Sequence, residues 1–162
     1  MTGVTRNEGD EQSKEAVMQI QEIMTKTVDL ADPNMKVRDV ALKMRQDNVG
    51  ALPVGENDRL KGMVTDRDIV VRGLAGDRPA ENTAVRDVMS EGVYYCFEDE
   101  PLERAGELMA EHQVHRLPVL NRNKRLVGVV ALADLARNGE EGSQAATKAI
   151  KGISQPTGAP RQ

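Results

Sequence analysis

A pattern written twice constrains this chain more than any other feature. Shifted by 65 positions, Met24-Thr25 falls on Met89-Ser90, Val28 on Val93, Met44 on Met109, Val49 on Val114, and Leu52-Pro53-Val54 on Leu117-Pro118-Val119. One extra residue in the next loop moves the shift to 66, so that Leu60 meets Leu126, Gly62 meets Gly128 and Asp68 meets Asp134. Self-similarity at a fixed period marks a duplicated supersecondary unit, and the fold must accommodate both copies.

Each copy predicts the same elements. Val37, Val40, Ala41 and Met44 recur at i, i+3, i+4 and i+7, one apolar helix face; Leu102, Ala105, Gly106 and Met109 repeat it. Pro101 suits the first turn of the second helix. The runs "ALPV" and "LKGMV", like "RLPVL" and "RLVGVV", are strand-sized and separated by the polar loops "GENDR" and "NRNK". Short strands are expected near "TVDLA" and "GVYYC", and a second helix starts after "GMVT". The expected order is strand, helix, strand, strand, helix, twice over. A unit of about 50–60 residues buries too little surface to be comfortable alone. The two are therefore expected to pack sheet against sheet about a pseudo-two-fold axis, giving an α+β fold with clefts lined by both copies.

The expected boundaries are a disordered N-terminal segment at 1–15, a first repeat at 16–80, a second at 81–137 and a C-terminal tail at 138–162. Within the tail, "AATKAIKGI" has the composition for a helical turn or two.

The 162 residues are 39% hydrophobic and 30% charged, with 2% aromatics and no Trp, so aliphatic side chains and Met must build the core. A net charge of -4, with no Lys/Arg run, argues against nucleic acid and anionic membranes as partners. No apolar stretch is long enough to span a bilayer. The N-terminus lacks the apolar core of a secretion signal, so the cytoplasm is the expected compartment. Cys96, the single cysteine, suits a reducing environment.

The turn "GMVTDRD" at 62–68 has two readings. Thr65 is a good helix N-cap, and Asp68 can reach back to its amide to complete a capping box. The same geometry suits a ligand: a helix start favours phosphate, the Thr65 hydroxyl can donate to it, Asp68 can accept from ribose hydroxyls, and Gly62 lets a ligand approach the backbone. The second copy reads "GVVALAD": Asp134 remains, but Ala131 replaces the threonine. The two turns are therefore not expected to serve equally.

The runs "VGALPV" with "GMVTDRDIV", and "VHRLPVL" with "GVVALADLA", resemble a pair of CBS domains, the Bateman module, over about residues 16–137. The chain is similar to small stand-alone bacterial members of that family. The resemblance implies two βαββα repeats, a homodimer, and a cleft for AMP, ADP, ATP, NAD or an S-adenosyl compound. It implies Asp68 at ribose, Thr65 at ribose or phosphate, and basic residues before "LPV" at phosphate. His115 and Arg116 match that last place; Gly50 and Ala51 do not. The implied site joins Thr65 and Asp68 to His115 and Arg116, with Arg67 beside it, and Asp134 marks a weaker second site. The implied role is a regulatory adenine-nucleotide sensor that requires no cofactor and acts through its dimer or an unidentified effector protein. The competing reading is a structural or partner-binding scaffold whose cleft is empty or holds zinc.

His112 and His115 form H-x-x-H, but zinc needs three or four ligands; Glu111 and Cys96 are the conceivable additions, so a helix-end histidine and a phosphate-facing or surface histidine are the simpler assignment. Arg72 reads as a solvated helix residue, and Tyr94 and Tyr95 as packing residues in a strand beside Cys96. No phosphate-loop, nucleophile-elbow or catalytic-triad pattern is present, so no enzymatic activity is expected.

Overall fold

The computed structural model describes residues 16–26 and 28–156. The N-terminal segment expected to be disordered, 1–15, lies outside them. The first repeat contains α1 (Val37–Asp47), β1 (Ala51–Glu56), β2 (Arg59–Thr65) and α2 (Asp66–Asp68). The chain then runs on through a wider-wound turn at Ile69–Leu74, where the Ala75 amide donates to Val70 O, five residues back. The second repeat contains β3 (Cys96–Phe97), α3 (Leu102–His112), β4 (Arg116–Leu120), β5 (Leu126–Ala131) and α4 (Leu132–Ala136). A further helix, α5 (Gly139–Ile153), closes the described chain.

The apolar periodicity holds except at Ala41, which was expected on the buried face of the first helix and is exposed. Val37, Val40 and Met44 of α1 are buried, as are Leu102, Ala105, Gly106 and Met109 of α3. Both helices stop at repeat-equivalent residues in the left-handed conformation, Asn48 (φ 53°) and Gln113 (φ 54°). β1 pairs antiparallel with β2, and β4 with β5.

The short leading strands are slighter than expected. Near "TVDLA", among the described residues, only Ala31 pairs, in parallel with Val54; its amide donates to Pro53 O and its carbonyl accepts from Gly55 N, both at 2.9 Å. Asp32 then turns its carboxylate onto the Asn34 amide at 2.7 Å, and Pro33 ends any ladder. Near "GVYYC" the strand begins only at Cys96 and lies parallel to β4, so Tyr94 and Tyr95 precede it.

The packing units cross the boundary drawn at residue 80. Ile20 lies in the core of the second repeat with Leu102, Met109, Leu117 and Leu135, and Met18, Ile23 and Met24 pack against the same cluster. Val85 and Val88 lie in the core of the first repeat with Val40, Val54 and Val64, joined by Met89. Backbone bonds fix the exchange: Thr25 and Val129 trade bonds of 2.9 and 3.0 Å, while Met63 and Ser90 trade bonds of 2.9 and 2.8 Å. Thus 16–26 belongs structurally with the second repeat, and 83–90 with the first.

The exchange explains two glycines. A Cβ on Gly62 would stand 2.5 Å from Ser90 O, and one on Gly128 would stand 2.8 Å from Thr25 O. Gly62 was expected to make room for a ligand; it makes room for the other repeat's leading segment.

The expected tail from 138 instead carries the 15 residues of α5. Its buried face is Gly142, Ala145, Ala146 and Ala149, too small to read as an apolar stripe. It docks because α3 is also small there: a Cβ on Gly106 would stand 2.5 Å from Ala145 O, and Gly152 sits against Ala110. Lys148 Nζ reaches Glu107 at 3.2 Å and Glu103 at 3.6 Å, and Gln113 Nε2 donates to the carbonyls of Gly152 and Gln155 at 3.3 and 3.0 Å. No helix of the described residues is long and apolar enough to cross a membrane.

Candidate functional site

At the end of each β-hairpin, the chain turns from strand to helix and is tied to the residue before the neighbouring strand. The Asp66 amide donates to Gly50 O, and the Leu132 amide donates to His115 O, each at 2.9 Å. These equivalent ties bring both turns to the same end of the molecule as the entries to β1 and β4.

The Thr65 turn is a reciprocal capping box. Asp68 N donates to Thr65 Oγ1 and Thr65 N donates to Asp68 Oδ2, both at 3.0 Å. In the second repeat only the carboxylate half survives: Ala131 N donates to Asp134 Oδ2 at 2.8 Å, while Asp134 Oδ1 pairs with Arg137 at 3.1 Å. The capping role is therefore real in both turns, and stronger in the first.

A cleft of about 780 Å³ opens between the repeats, with Thr65, Asp66 and Arg67 on one wall and Gln113–Arg116 and Ala131–Ala133 on the other. It unites four of the expected residues: Thr65, Arg67, His115 and Arg116. Asp68 is not on its wall; it sits behind Thr65, held by the cap. A neighbouring cleft of about 520 Å³ is lined by Thr25, Asp29, Asp47, Asp134 and Arg137. The expected residues other than Asp68 line one or other of two clefts of different charge. Arg116, Ala51, Ala131 and Ala133 line both. Another hollow, about 470 Å³ around Arg59, Lys61, Glu91 and Lys124, contains none of the six expected residues.

Asp29, Asp47 and Gln113 did not stand out in the sequence, because their role depends on which segments fold over the cleft. Repeat arithmetic was the available signal: Asp29 and Asp47 fall, 65 positions on, at Tyr94 and His112. In the first repeat Lys43 bridges the pair, 2.6 Å from Asp29 and 3.7 Å from Asp47. The hydrogen bond and charge of Lys43 hold the Asp29 carboxyl below its usual pKa. In the second repeat Leu108 replaces the lysine, and the rings of Tyr94 and His112 stack with centroids 3.4 Å apart. Arg72, read as solvated, instead donates to the carbonyls of Val88 and Met89 at 3.3 and 3.0 Å and ties the helical turn to the returning segment.

Metal ligation gains no support from these positions. Cys96 is 1% exposed, and burial pushes its thiol up to about 12. Among the described residues no three His, Cys, Asp or Glu side chains gather as a metal site.

The CBS domain model matches residues 20–73 and again 85–141. The chain belongs to the CBS domain family. This CBS pair is 43% identical over 135 residues to the CBS domain-containing protein YhcV of Bacillus subtilis, covering 83% of this chain and 94% of that one. It is 36% identical over 136 residues to hypoxic response protein 1 of Mycobacterium tuberculosis, covering 83% and 93%. Among solved structures it resembles Hypoxic Response Protein I with two coordinated zinc ions, at TM-score 0.71 and 35% identity over 76% of this chain and 100% of that one. It also resembles the CBS pair of protein MJ0100 in complex with 5'-methylthioadenosine and S-adenosyl-L-methionine, at TM-score 0.67 and 25% identity over 74% and 98%. The relatives covered nearly end to end are stand-alone CBS domain proteins, and CBS pairs are regulatory modules.

Proposed function

We propose that this CBS pair is a cytoplasmic adenine-nucleotide sensor without catalytic activity, binding AMP, ADP, ATP or NAD between its repeats. The observation that supports the reading is the cleft of about 780 Å³, whose lining includes Thr65 of one repeat and His115 and Arg116 of the other. Arg67 and Arg116 make the cleft cationic on a chain whose net charge is -4. Phosphate binds there through charge-assisted hydrogen bonds. Asp68 supports Thr65 and offers its second carboxylate oxygen to ribose once the turn adjusts. Asp134 offers the weaker equivalent. The adenosine ligands of the MJ0100 pair support this ligand class. The zinc of Hypoxic Response Protein I supports the alternative, scaffold reading.

Output passes through a homodimer and from it to an effector protein. Leu42, Val70, Val71 and Leu74 leave an apolar surface on the helical side of the first repeat, Leu74 being 76% exposed. The equivalent side of the second repeat lies beneath α5. Ligand binding across the repeats favours one arrangement of that dimer over another.

Calorimetric titration with AMP, ADP, ATP and NAD tests the reading, beside mass spectrometry of ligand retained after gentle purification. One of the four is expected to bind and raise the melting temperature, and Asp68→Ala is expected to weaken it. Absence of binding by all four, with zinc retained instead, assigns the scaffold role. Sedimentation equilibrium of Leu74→Glu tests the interface: the variant is expected to be monomeric.

A further inference from the structure

The hollow of about 470 Å³ lies at the tips of the two hairpins and shares no lining residue with either cleft. Arg59 opens β2 and Thr65 ends it, so a rise of about 3.3 Å per residue sets the hollow about 20 Å from the Thr65 turn. Its buried and half-buried lining is Leu60, Val93, Leu120 and the ring of Tyr95. Around this floor stand three exposed cations, Arg59, Lys61 and Lys124, against one carboxylate, Glu91. None of these four charges forms an ion pair among the described residues. The two hairpin turns are tied to each other. The Leu126 amide donates to Asp58 O at 2.8 Å, and the Arg125 guanidinium donates to Asn57 O. Duplication does not account for the combination: the repeat-equivalents of Tyr95, Lys61 and Glu91 are Leu30, Val127 and Lys26.

We infer that this hairpin-tip hollow is a separate binding site, for a small organic phosphate monoester with an apolar or aromatic body. The inference goes beyond the nucleotide reading and stands without it. Near pH 8 a phosphate monoester is a dianion, and its oxygens accept charge-assisted hydrogen bonds from more than one cation. Its body covers Leu60 and Leu120 and meets the ring of Tyr95, so apolar area leaves water as the charges pair. A concave volume with an apolar floor and a few polar groups is the form of a small-molecule site. A protein partner needs about 800 Å² on each side for a stable interface, more than three cations around one hollow supply.

Nuclear magnetic resonance titration of the full chain with phenyl phosphate, at pH 8 and low salt, tests this. Saturable shifts are expected at the amides of Leu60, Lys61, Val93, Tyr95 and Lys124. Inorganic phosphate, which lacks the ring, is expected to bind the same positions about tenfold more weakly. Lys61→Ala combined with Lys124→Ala is expected to weaken phenyl phosphate about tenfold through two lost exposed charges. Tyr95→Leu, which installs the side chain of the other repeat, is expected to weaken phenyl phosphate about threefold and leave inorganic phosphate unchanged. Circular dichroism and melting establish that the variants are folded. Shifts absent from the hairpin tips, or confined to Thr65, His115 and Arg116, overturn the inference and leave the nucleotide reading standing. Equal binding of phenyl phosphate and inorganic phosphate also overturns it, because the charges then hold only a counter-ion cloud. So does a response to polyglutamate without one to phenyl phosphate, which assigns the hollow to an acidic protein segment. Phenyl phosphate bound at the tips of a chain that binds no nucleotide at the Thr65 cleft supports the inference and removes the nucleotide reading alone.

Discussion

Arg116 stands opposite Ala131 across the β4–β5 ladder, on the rung where Ala51 stands opposite Thr65 across β1–β2. Each repeat keeps one polar side chain at this rung, on opposite strands. The loss of the cap hydroxyl in the second copy and the gain of a cation there belong to one local difference. It makes the two clefts chemically unlike while the backbone stays the same.

The cap itself is measurable. Thr65→Ala removes the acceptor for the Asp68 amide and is expected to cost about 1 kcal/mol in urea denaturation. Ala131→Thr supplies the missing acceptor to the Asp134 amide and is expected to stabilise by about 0.5–1 kcal/mol. A neutral Thr65→Ala would show that the capping bond is replaced by water.

The glycines at the repeat crossing are expected to be sensitive to a single methyl. Gly62→Ala brings a Cβ to 2.5 Å from Ser90 O and is expected to cost about 1–3 kcal/mol. Gly92→Ala meets nothing within 4 Å and is expected to stay within about 0.5 kcal/mol of the native chain. Thermal melting of the pair, side by side, separates a packing effect from a general cost of replacing glycine.

Docking of α5 depends on Gly106. Gly106→Ala pushes against Ala145 O and is expected to raise hydrogen exchange over 139–153 while leaving β1 and β2 protected. Unchanged exchange across α5 would mean that the helix shifts to absorb the methyl.

Cys96 gives a pH dependence. Its thiol is raised from 9.0 to about 12, chiefly by burial, so the folded chain keeps a proton that the unfolded chain gives up. Stability from this group is present below pH 9 and is lost as pH rises towards 12. The steepest slope is about 1.4 kcal/mol per pH unit. Cys96→Ala is expected to flatten that slope in urea titrations at alkaline pH. At neutral pH the native thiol is expected to resist a bulky disulfide reagent until the protein unfolds.

Much of this architecture was legible before any coordinates. Large aliphatic residues at helical and strand spacing, repeated at a constant offset, identified α1, α3 and both hairpins. Three residues that line the first cleft were legible because their repeat partners differ: Thr65 against Ala131, and His115 and Arg116 against Gly50 and Ala51. What stayed hidden depends on long-range pairing. Ile20 and Val85 look like members of the repeats they precede, and only the hydrogen bonds of Thr25 with Val129 and of Ser90 with Met63 reveal the exchange. α5 escaped because Gly and Ala build its contact face, so close backbone approach replaces the large side chains that mark a core helix. The Tyr94–His112 stack escaped because its first-repeat counterpart is a lysine-bridged pair of acids.

The crossing of Ile20 and Val85 into each other's repeat has a thermodynamic meaning. A chain cut at residue 80 yields two fragments, each with a hole in its own core and an apolar plug meant for the other. Melting one repeat in the intact chain withdraws a buried side chain from its twin. Duplication would have allowed two independent domains; the interlocked cores join them into a single cooperative transition, so a molecule bound at one hairpin end alters the free energy of both halves together.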